Sequence, residues 1–308
     1  MPDIGIVIVT YNSCDHIGAC LDAAVRTGAE LIVVDNASTD NTVTEVTRRH
    51  VRLISNDTNR GFAAAVNQGF ASLTAPYVLL LNPDAIIQSS LGPLRQCCDL
   101  PNAAAAGGKL IDAAGRPQIG FMVRALPTPA VMIAECLLLN KLWQRNILNR
   151  RYRALDLNPE ALAVVEQPAG AFLMIRRDVW KSLGGLDECY APLWFEDVDF
   201  CRRLKDRGFT VHYTPLAVAK HTGAHSISGL PLEIRWQYWY CSFLRYSAKH
   251  FPPLSFRAVC LAAVIGSVLR GIAASALQHS LRPLAASARI AILAGRAALF
   301  GWKDKAVR

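Results

Sequence analysis

The chain has 308 residues, 52% of them hydrophobic, and a net charge of +9; that length admits one large domain with appendages or two small ones, with a sizeable core. Between Arg257 and Arg308 eight basic residues stand against Asp304 alone, so residues 1–256 carry only +2; the basic excess sits on an apolar tail, which argues against nucleic acid and for an anionic lipid surface. Nine cysteines without a C-x-x-C pair argue against a zinc site or a disulfide framework and read as small core residues in a reducing compartment.

The N-terminus, Met-Pro-Asp-Ile, lacks a basic leader and runs straight into a strand, so no secretory signal is expected. Gly5–Thr10, Leu31–Asp35, Val51–Asn56 and Tyr77–Asn82 are short, β-branched-rich apolar runs. They suit strands buried on both faces of a parallel sheet. Helix-like stretches lie between them at Asp15–Arg26, Asn41–Arg49 and Gly61–Leu73. This alternation predicts an α/β fold with a mostly parallel, doubly wound sheet, whose ligands sit beyond the carboxyl ends of the strands. Thr10-Tyr11-Asn12, Asp35-Asn36 and Asn82-Pro83-Asp84 all fall at such ends.

Residues 121–166, with Pro127, Pro129, Pro159 and the basic stretch Arg145–Arg153, read as a variable excursion with short helices. A strand at Gly170–Arg176, a helix at Arg177–Leu183 ended by Gly184-Gly185, a helix at Asp197–Arg207 and a strand at Phe209–Thr214 follow. From Ser255 the chain is rich in Ala, Leu and Ile. Its uncharged runs, Ala258–Leu269 and Gly271–Leu281, are broken by Arg270, and each is shorter than the roughly 18–20 residues of a spanning helix. Arg282, Arg289, Arg296 and Lys303 recur every seven residues on one helix face. The pattern predicts an amphipathic helix lying in a membrane interface; a hairpin packed on the domain and a spanning hairpin are the alternatives.

Several polar groups carry chemistry. Asp35 and Asp84, each ending a strand, can hold a ribose hydroxyl or a hard cation such as Mg²⁺ or Mn²⁺; Asp35 can equally cap a helix, although Ser38 and Asp40 are available for that. Pro83 ends its strand and presents Asn82 and Asp84 on a rigid turn. Asn59-Arg60-Gly61-Phe62 leads into a helix bearing Asn67. There Arg60 and the helix N-terminus can meet phosphate oxygens, with Asn59 as a plain cap the competing reading. Trp194-Phe195-Glu196-Asp197-Val198-Asp199 places three carboxylates beside aromatic rings that can stack on a sugar and raise the pKa of a base; acidic residues in a first helical turn also suit the macrodipole. His221, in His221-Thr222-Gly223-Ala224-His225, can ligate a cation or be structural.

Taken together, IVIVTYNS (6–13), LIVVDNASTDNT (31–42), NRGFAAAVNQG (59–69), YVLLLNPDA (77–85), GAFLMIRRDVWKSLGGLDE (170–188), WFEDVDFCRRLKDRGF (194–209) and KHTGAHS (220–226) resemble the family 2 glycosyltransferases, in particular their bacterial rhamnosyltransferase and galactofuranosyltransferase branch. The resemblance implies a GT-A fold and inversion at the anomeric carbon by direct displacement. It also implies that Thr10 and Tyr11, with Asn12, cradle the base and ribose, and that Asp35 contacts the nucleotide. Asn59, Arg60, Asn67 and Asn82 fall on the donor side. Asn82-Pro83-Asp84 takes the D-x-D position with Asn for the first Asp, making Asp84 the main metal ligand and His221 its partner. Asp197 is the expected catalytic base, with Glu196 the second choice, and Gly170, Trp194 and Phe195 face the acceptor.

The expected layout is a transferase domain over residues 1–250, with a nucleotide-binding half at 1–100 and an acceptor and metal half at 165–226, followed by membrane-associating helices over 251–308. The expected reaction moves a sugar, rhamnose before others, from a nucleoside diphosphate donor (thymidine-diphosphate rhamnose, or a uridine-diphosphate sugar) to a lipid-linked saccharide. The enzyme would work as a peripheral protein on the cytoplasmic face of the membrane, in cell-surface polysaccharide synthesis. A dinucleotide-dependent oxidoreductase or a nucleotidyltransferase would need a glycine-rich loop after the first strand, where Thr10-Tyr11-Asn12-Ser13 stands instead. A catalytically retired membrane scaffold would have lost Asp35, Asp84 or Asp197, and all three are present.

Overall fold

The computed structural model describes residues 2–223 and 229–302; His225 and Lys303 lie outside them. The chain divides into two units. The first comprises Met1–Leu126, Arg153–Pro192 and Glu196–Ser226, the second Pro127–Tyr152, Leu193–Phe195 and Ile227–Arg308. The proline-bearing excursion after Leu126 falls in the same unit as the C-terminal helices.

The first unit opens with β1 (Ile4–Thr10), α1 (Cys14–Val25), β2 (Glu30–Asp35), α2 (Thr42–Thr47), β3 (Arg52–Ser55), α3 (Phe62–Ser72) and β4 (Tyr77–Leu81). These elements follow the apolar runs of the sequence to within one or two residues. β5 (Ala85–Ile87), α4 (Gly92–Cys98), β6 (Ala103–Ile111) and β7 (Val123–Arg124) come next. In the second unit lie α5 (Pro129–Cys136), α6 (Leu139–Leu142) and α7 (Ile147–Tyr152). The chain then returns with β8 (Ala163–Val165), β9 (Gln167–Pro168), β10 (Phe172–Arg176), α8 (Arg177–Leu183), α9 (Glu196–Asp206) and β11 (Thr210–His221).

The main sheet has the order β3-β2-β1-β4-β10-β6-β11-β5, with β8 added to β11. β1 pairs parallel with β2 and β4, and β2 with β3; β10 runs antiparallel to β4 and β6, while β11 is parallel to β6. The sheet is therefore mixed, with β10, β5 and β8 reversed. β1 shows why its strands read as continuous apolar runs. Ile6 and Ile8 enter a core with Leu21 of α1, Val46 of α2 and Leu94 of α4. Val7 and Val9 enter another with Val66 and Phe70 of α3, Trp180 of α8 and Phe200 of α9. Alternate residues of a strand face opposite sides, and both sides are covered by helices.

β6 went unread in the sequence. Its segment Ala103–Gly108 is built of alanine and glycine, residues depleted from strands. The small residues have a packing reason. A Cβ on Gly107 would stand 2.3 Å from Pro168 Cβ, so only glycine lets β9 cross so closely.

In the second unit α10 (Leu232–His250), α11 (Pro253–Gln278) and α12 (Arg282–Phe300) follow α5–α7. α11 is one continuous helix, long and apolar enough by length and composition to cross a membrane, as is α12. Arg270 does not interrupt it: the guanidinium donates to the Glu135 carbonyl at 2.5 Å and lies over the Tyr240 ring. The outward stripe of α11 is left to Leu254, Leu261, Ile265, Val268 and Ile272, all exposed. α12 buries Pro283, Ser287, Ile290, Ala294 and Ala297, and leaves Arg282, Arg289 and Arg296 exposed beside Ile292 and Leu299.

Candidate active site

The strand directions place the polar groups along one edge of the sheet. Thr10, Asp35 and Leu81 end parallel strands, His221 ends β11, and the antiparallel β10 begins at that edge, its Phe172 paired with Leu81. Asn82 N donates to the Ala171 carbonyl at 3.0 Å, and the neighbouring Gly170 N donates to Asp197 Oδ2 at 3.2 Å. Asn82-Pro83-Asp84 and Asp197 are thus two links apart.

At one end of this edge, Thr10 Oγ1 donates to Asp35 Oδ1 at 2.8 Å, while Ser38 donates through its N–H to Oδ2 and through its hydroxyl to Oδ1. Asp35, 1% exposed, is anchored by three donors, as a buried carboxylate must be. Asp40, not Asp35, meets the start of α2, accepting from Thr42 N. Asn12 has a left-handed backbone (φ 50°), and its Oδ1 accepts from Thr39 N, clasping the loop after β1 to the loop after β2. The Tyr11 side chain is exposed.

Asn59 caps its own turn by accepting from Gly61 N at 2.9 Å, and Arg60 is exposed. Asn67 is committed elsewhere: Nδ2 donates to the Leu186 carbonyl and Glu188 Oε1, and Oδ1 accepts from Leu186 N. Its amide holds α3 to the loop at Leu186–Glu188.

Asp84 and His221 meet where β5 pairs with β11. Asp84 Oδ1 lies 3.5 Å from His221 Nε2, and Oδ2 accepts from Gly223 N at 2.9 Å. Gln118, unnoticed in the sequence, orients the imidazole: its Oε1 lies 3.1 Å from Nδ1, and its Nε2 donates to the His221 carbonyl. The Phe121 ring stacks on the imidazole at 5.0 Å. Among the described residues no group of three or more His, Cys, Asp or Glu is poised for a metal. A carboxylate oxygen and an oriented imidazole nitrogen fit part of the shell of Mg²⁺ or Mn²⁺, the imidazole leaning toward Mn²⁺, with diphosphate oxygens and water suited to the remainder.

Asp197 and Glu196 open α9 with opposite surroundings. Asp197 Oδ2 accepts from Gly170 N and from Gln167 Nε2, each at 3.2 Å, and Oδ1 accepts from Val198 N at 2.8 Å. Burial pushes its carboxyl above the usual aspartate range, opposed by the N–H groups of Gly170 and Val198 and by the Arg124 charge. A Cβ on Gly170 would stand 3.3 Å from Oδ2, so a side chain there would press on the carboxylate. Glu196 is 7% exposed and its Oε2 has no hydrogen-bond partner among the described residues. Burial, and then the Asp197 charge, push it well above the glutamate range. Asp199, the third carboxylate, is tied to Arg203 and Tyr190. Phe195 packs at 6% exposure against Trp239, Phe243 and Tyr246 of the second unit, so its ring is closed to a sugar; Trp194 is partly exposed.

The model of glycosyl transferase family 2 matches residues 5–111. The chain is 30% identical over 245 residues to N-acetylglucosaminyl-diphospho-decaprenol L-rhamnosyltransferase of Mycobacterium tuberculosis, covering 72% of this chain and 76% of that protein. It is 24% identical over 226 residues to the low-salt glycan biosynthesis hexosyltransferase Agl10 of Haloferax volcanii, covering 72% and 67%. Among solved structures, the fold is similar to that of the mannosyltransferase PcManGT from Pyrobaculum calidifontis in complex with GDP-Man and Mn²⁺, at a TM-score of 0.54 and 16% identity over 98% of this chain and 88% of that one. It is also similar to S. aureus TarS 1-349, at 0.51 and 15% over 99% and 93%.

Proposed function

The chain belongs to glycosyltransferase family 2, and from that premise we propose that it moves rhamnose from thymidine-diphosphate rhamnose to a lipid-linked saccharide, with inversion at the anomeric carbon and a divalent cation. The observation that carries this reading is the juxtaposition along one strand edge: the Asp84–His221 pair, and Asp197 reached through Ala171 and Gly170. The 30% identical rhamnosyltransferase, whose name specifies an N-acetylglucosaminyl-diphospho-decaprenol, supports the sugar and the acceptor class.

Asp84 and His221 would hold Mg²⁺ or Mn²⁺. Such an ion, when bound, offsets the negative charge that builds on a departing diphosphate. Thr10, Tyr11 and Asp35 would seat the nucleoside in the half spanning residues 1–100, and residues 165–226 would supply the acceptor side. Asp197 then takes the proton of the acceptor hydroxyl as its oxygen bonds to the anomeric carbon. The carbon–oxygen bond to the diphosphate breaks, and the nucleoside diphosphate leaves with that electron pair. Asp197 suits the task better than Glu196, because three N–H donors favour its charged form while Glu196 is buried with an orphaned oxygen.

The apolar outer stripe of α11 and the arginine row of α12 support a peripheral seat on an anionic bilayer, on the cytoplasmic face where nucleotide sugars are made. The test is transfer of radiolabelled rhamnose from thymidine-diphosphate rhamnose to a short-chain polyprenyl-diphospho-N-acetylglucosamine, with Mg²⁺ or Mn²⁺. Rhamnosylated lipid, lost on chelation, is the expected result. Transfer from a uridine-diphosphate sugar alone would overturn the donor, and transfer indifferent to chelation would overturn the metal.

A further inference from the structure

A two-stranded ribbon stands apart from the main sheet, with β7 and β9 paired antiparallel and Arg124 in register with Gln167. It crosses β6 at Gly107, where the missing side chain makes room for Pro168. Gln167 is 6% exposed. Its amide nitrogen makes two bonds, one to the Pro168 carbonyl at 3.1 Å and one to Asp197 Oδ2 at 3.2 Å. With Gly170 N on the same oxygen, both lone pairs of Oδ2 are occupied, whereas Oδ1, among the described residues, accepts from Val198 N alone.

We propose that Gln167, backed by Arg124, is a positioning residue for the reaction: it orients the Asp197 carboxylate so that Oδ1 is the oxygen that accepts the acceptor's proton, and stabilises its charged form by hydrogen bonding. The consequence for catalysis rests on Asp197 being the base. A buried amide that spends one N–H on a carboxylate favours ionisation of that carboxylate, and Arg124 acts in the same sense from the neighbouring strand. The other titratable groups close to Asp197 are Glu196 and Cys201 on its own helix, and burial raises both. Asp199 is engaged by Arg203 and Tyr190, and Glu166, next to Gln167, by Lys205 and Leu126 N. Among the side chains named, Gln167 and Arg124 are therefore the ones that join the Gly170 N–H in opposing the burial of Asp197 from outside α9.

The test is a carboxyl ¹³C NMR titration of the full chain labelled at aspartate, with the Asp197 resonance identified as the one missing from Asp197→Asn. Gln167→Met keeps the volume and removes the donor; the Asp197 midpoint should rise by about one pH unit. Arg124→Gln should shift it in the same direction by less, and serves alone if Gln167→Met does not fold. Midpoints coinciding with the unsubstituted protein in the folded variants would overturn the proposal. In the transfer assay the acidic limb of kcat should move with the midpoint, at unchanged KM for the donor. Near-normal transfer by Asp197→Asn would instead overturn the assignment of the base, an outcome distinct from an unmoved midpoint.

Discussion

Asp84 Oδ1 and His221 Nε2 face each other across 3.5 Å where β5 and β11 join, Ala85 being paired with His221. That separation is too long for a strong hydrogen bond. Each group is fixed by other contacts, Asp84 by Gly223 N and His221 by Gln118. The sheet register brings together two side chains 137 positions apart.

The first expectation concerns this pair. Asp84→Ala should abolish Mn²⁺-supported binding of the nucleotide sugar, measured by calorimetry with and without the metal. Gln118→Leu, which removes only the group orienting His221, should weaken metal-supported binding by roughly 10–100-fold. Binding that survives Asp84→Ala in full would take the metal away from this site.

The second concerns the base. Asp197→Asn should lower kcat by about 10²–10⁴ while sparing donor affinity, whereas Glu196→Gln should keep most of the rate. Because burial raises Asp197, the acidic limb of kcat/KM should lie above the ordinary aspartate value of about 3.9, with activity lost as pH falls through it. A limb at or below that value would contradict the account of its surroundings.

Stability should respond to Glu196 with the opposite pH dependence. Its folded-state pKa is raised, so the fold favours the protonated form. The stability it contributes is fully present below the unfolded value of about 4.3 and is lost as pH rises through the folded value. Glu196→Gln removes the charge permanently. It should raise Tm at pH 8 by several degrees, since each 1 kcal/mol is worth about 2–4 °C or less for a chain of this size, and the gain should vanish near pH 4. Calorimetric scans at the two pH values decide it; an equal or lower Tm at pH 8 would mean that the carboxylate is better solvated than its orphaned oxygen implies.

On the membrane, Ile265→Asp with Ile272→Asp alters two exposed positions of α11 and should leave the fold intact. The double variant should no longer sediment with vesicles containing anionic lipid. Replacing Arg282, Arg289 and Arg296 by Gln should weaken sedimentation and reduce its sensitivity to salt. Unchanged sedimentation of both variants would leave the apolar stripe without a bilayer.

The central strands were legible because each is apolar on both faces and ends in a polar residue, as Val9-Thr10 and Val34-Asp35 do. β6 was not, because alanine and glycine there answer to the approach of Pro168 rather than to strand propensity. Asp84, Asp197 and His221 stood out by residue type at a strand or helix end. Gln118 and Gln167 did not, since each acts through a contact more than 25 residues away, with no local pattern to mark it. Phe195 read as an open sugar platform; its ring packs among aromatics of α10, a partnership set by tertiary structure. Arg270 read as a break in the apolar tail, yet a long side chain can turn inward to a carbonyl and leave the outer face of its helix unbroken.

The bare backbone of β6 at Gly107 ties tolerance of mutation to chemistry at a distance. A methyl group there would collide with Pro168 and displace the segment that carries Gln167 and Gly170, the two donors on Asp197 Oδ2. A substitution in the middle of the sheet, where one looks first for lost stability, would on this geometry also move the two groups that orient the Asp197 carboxylate.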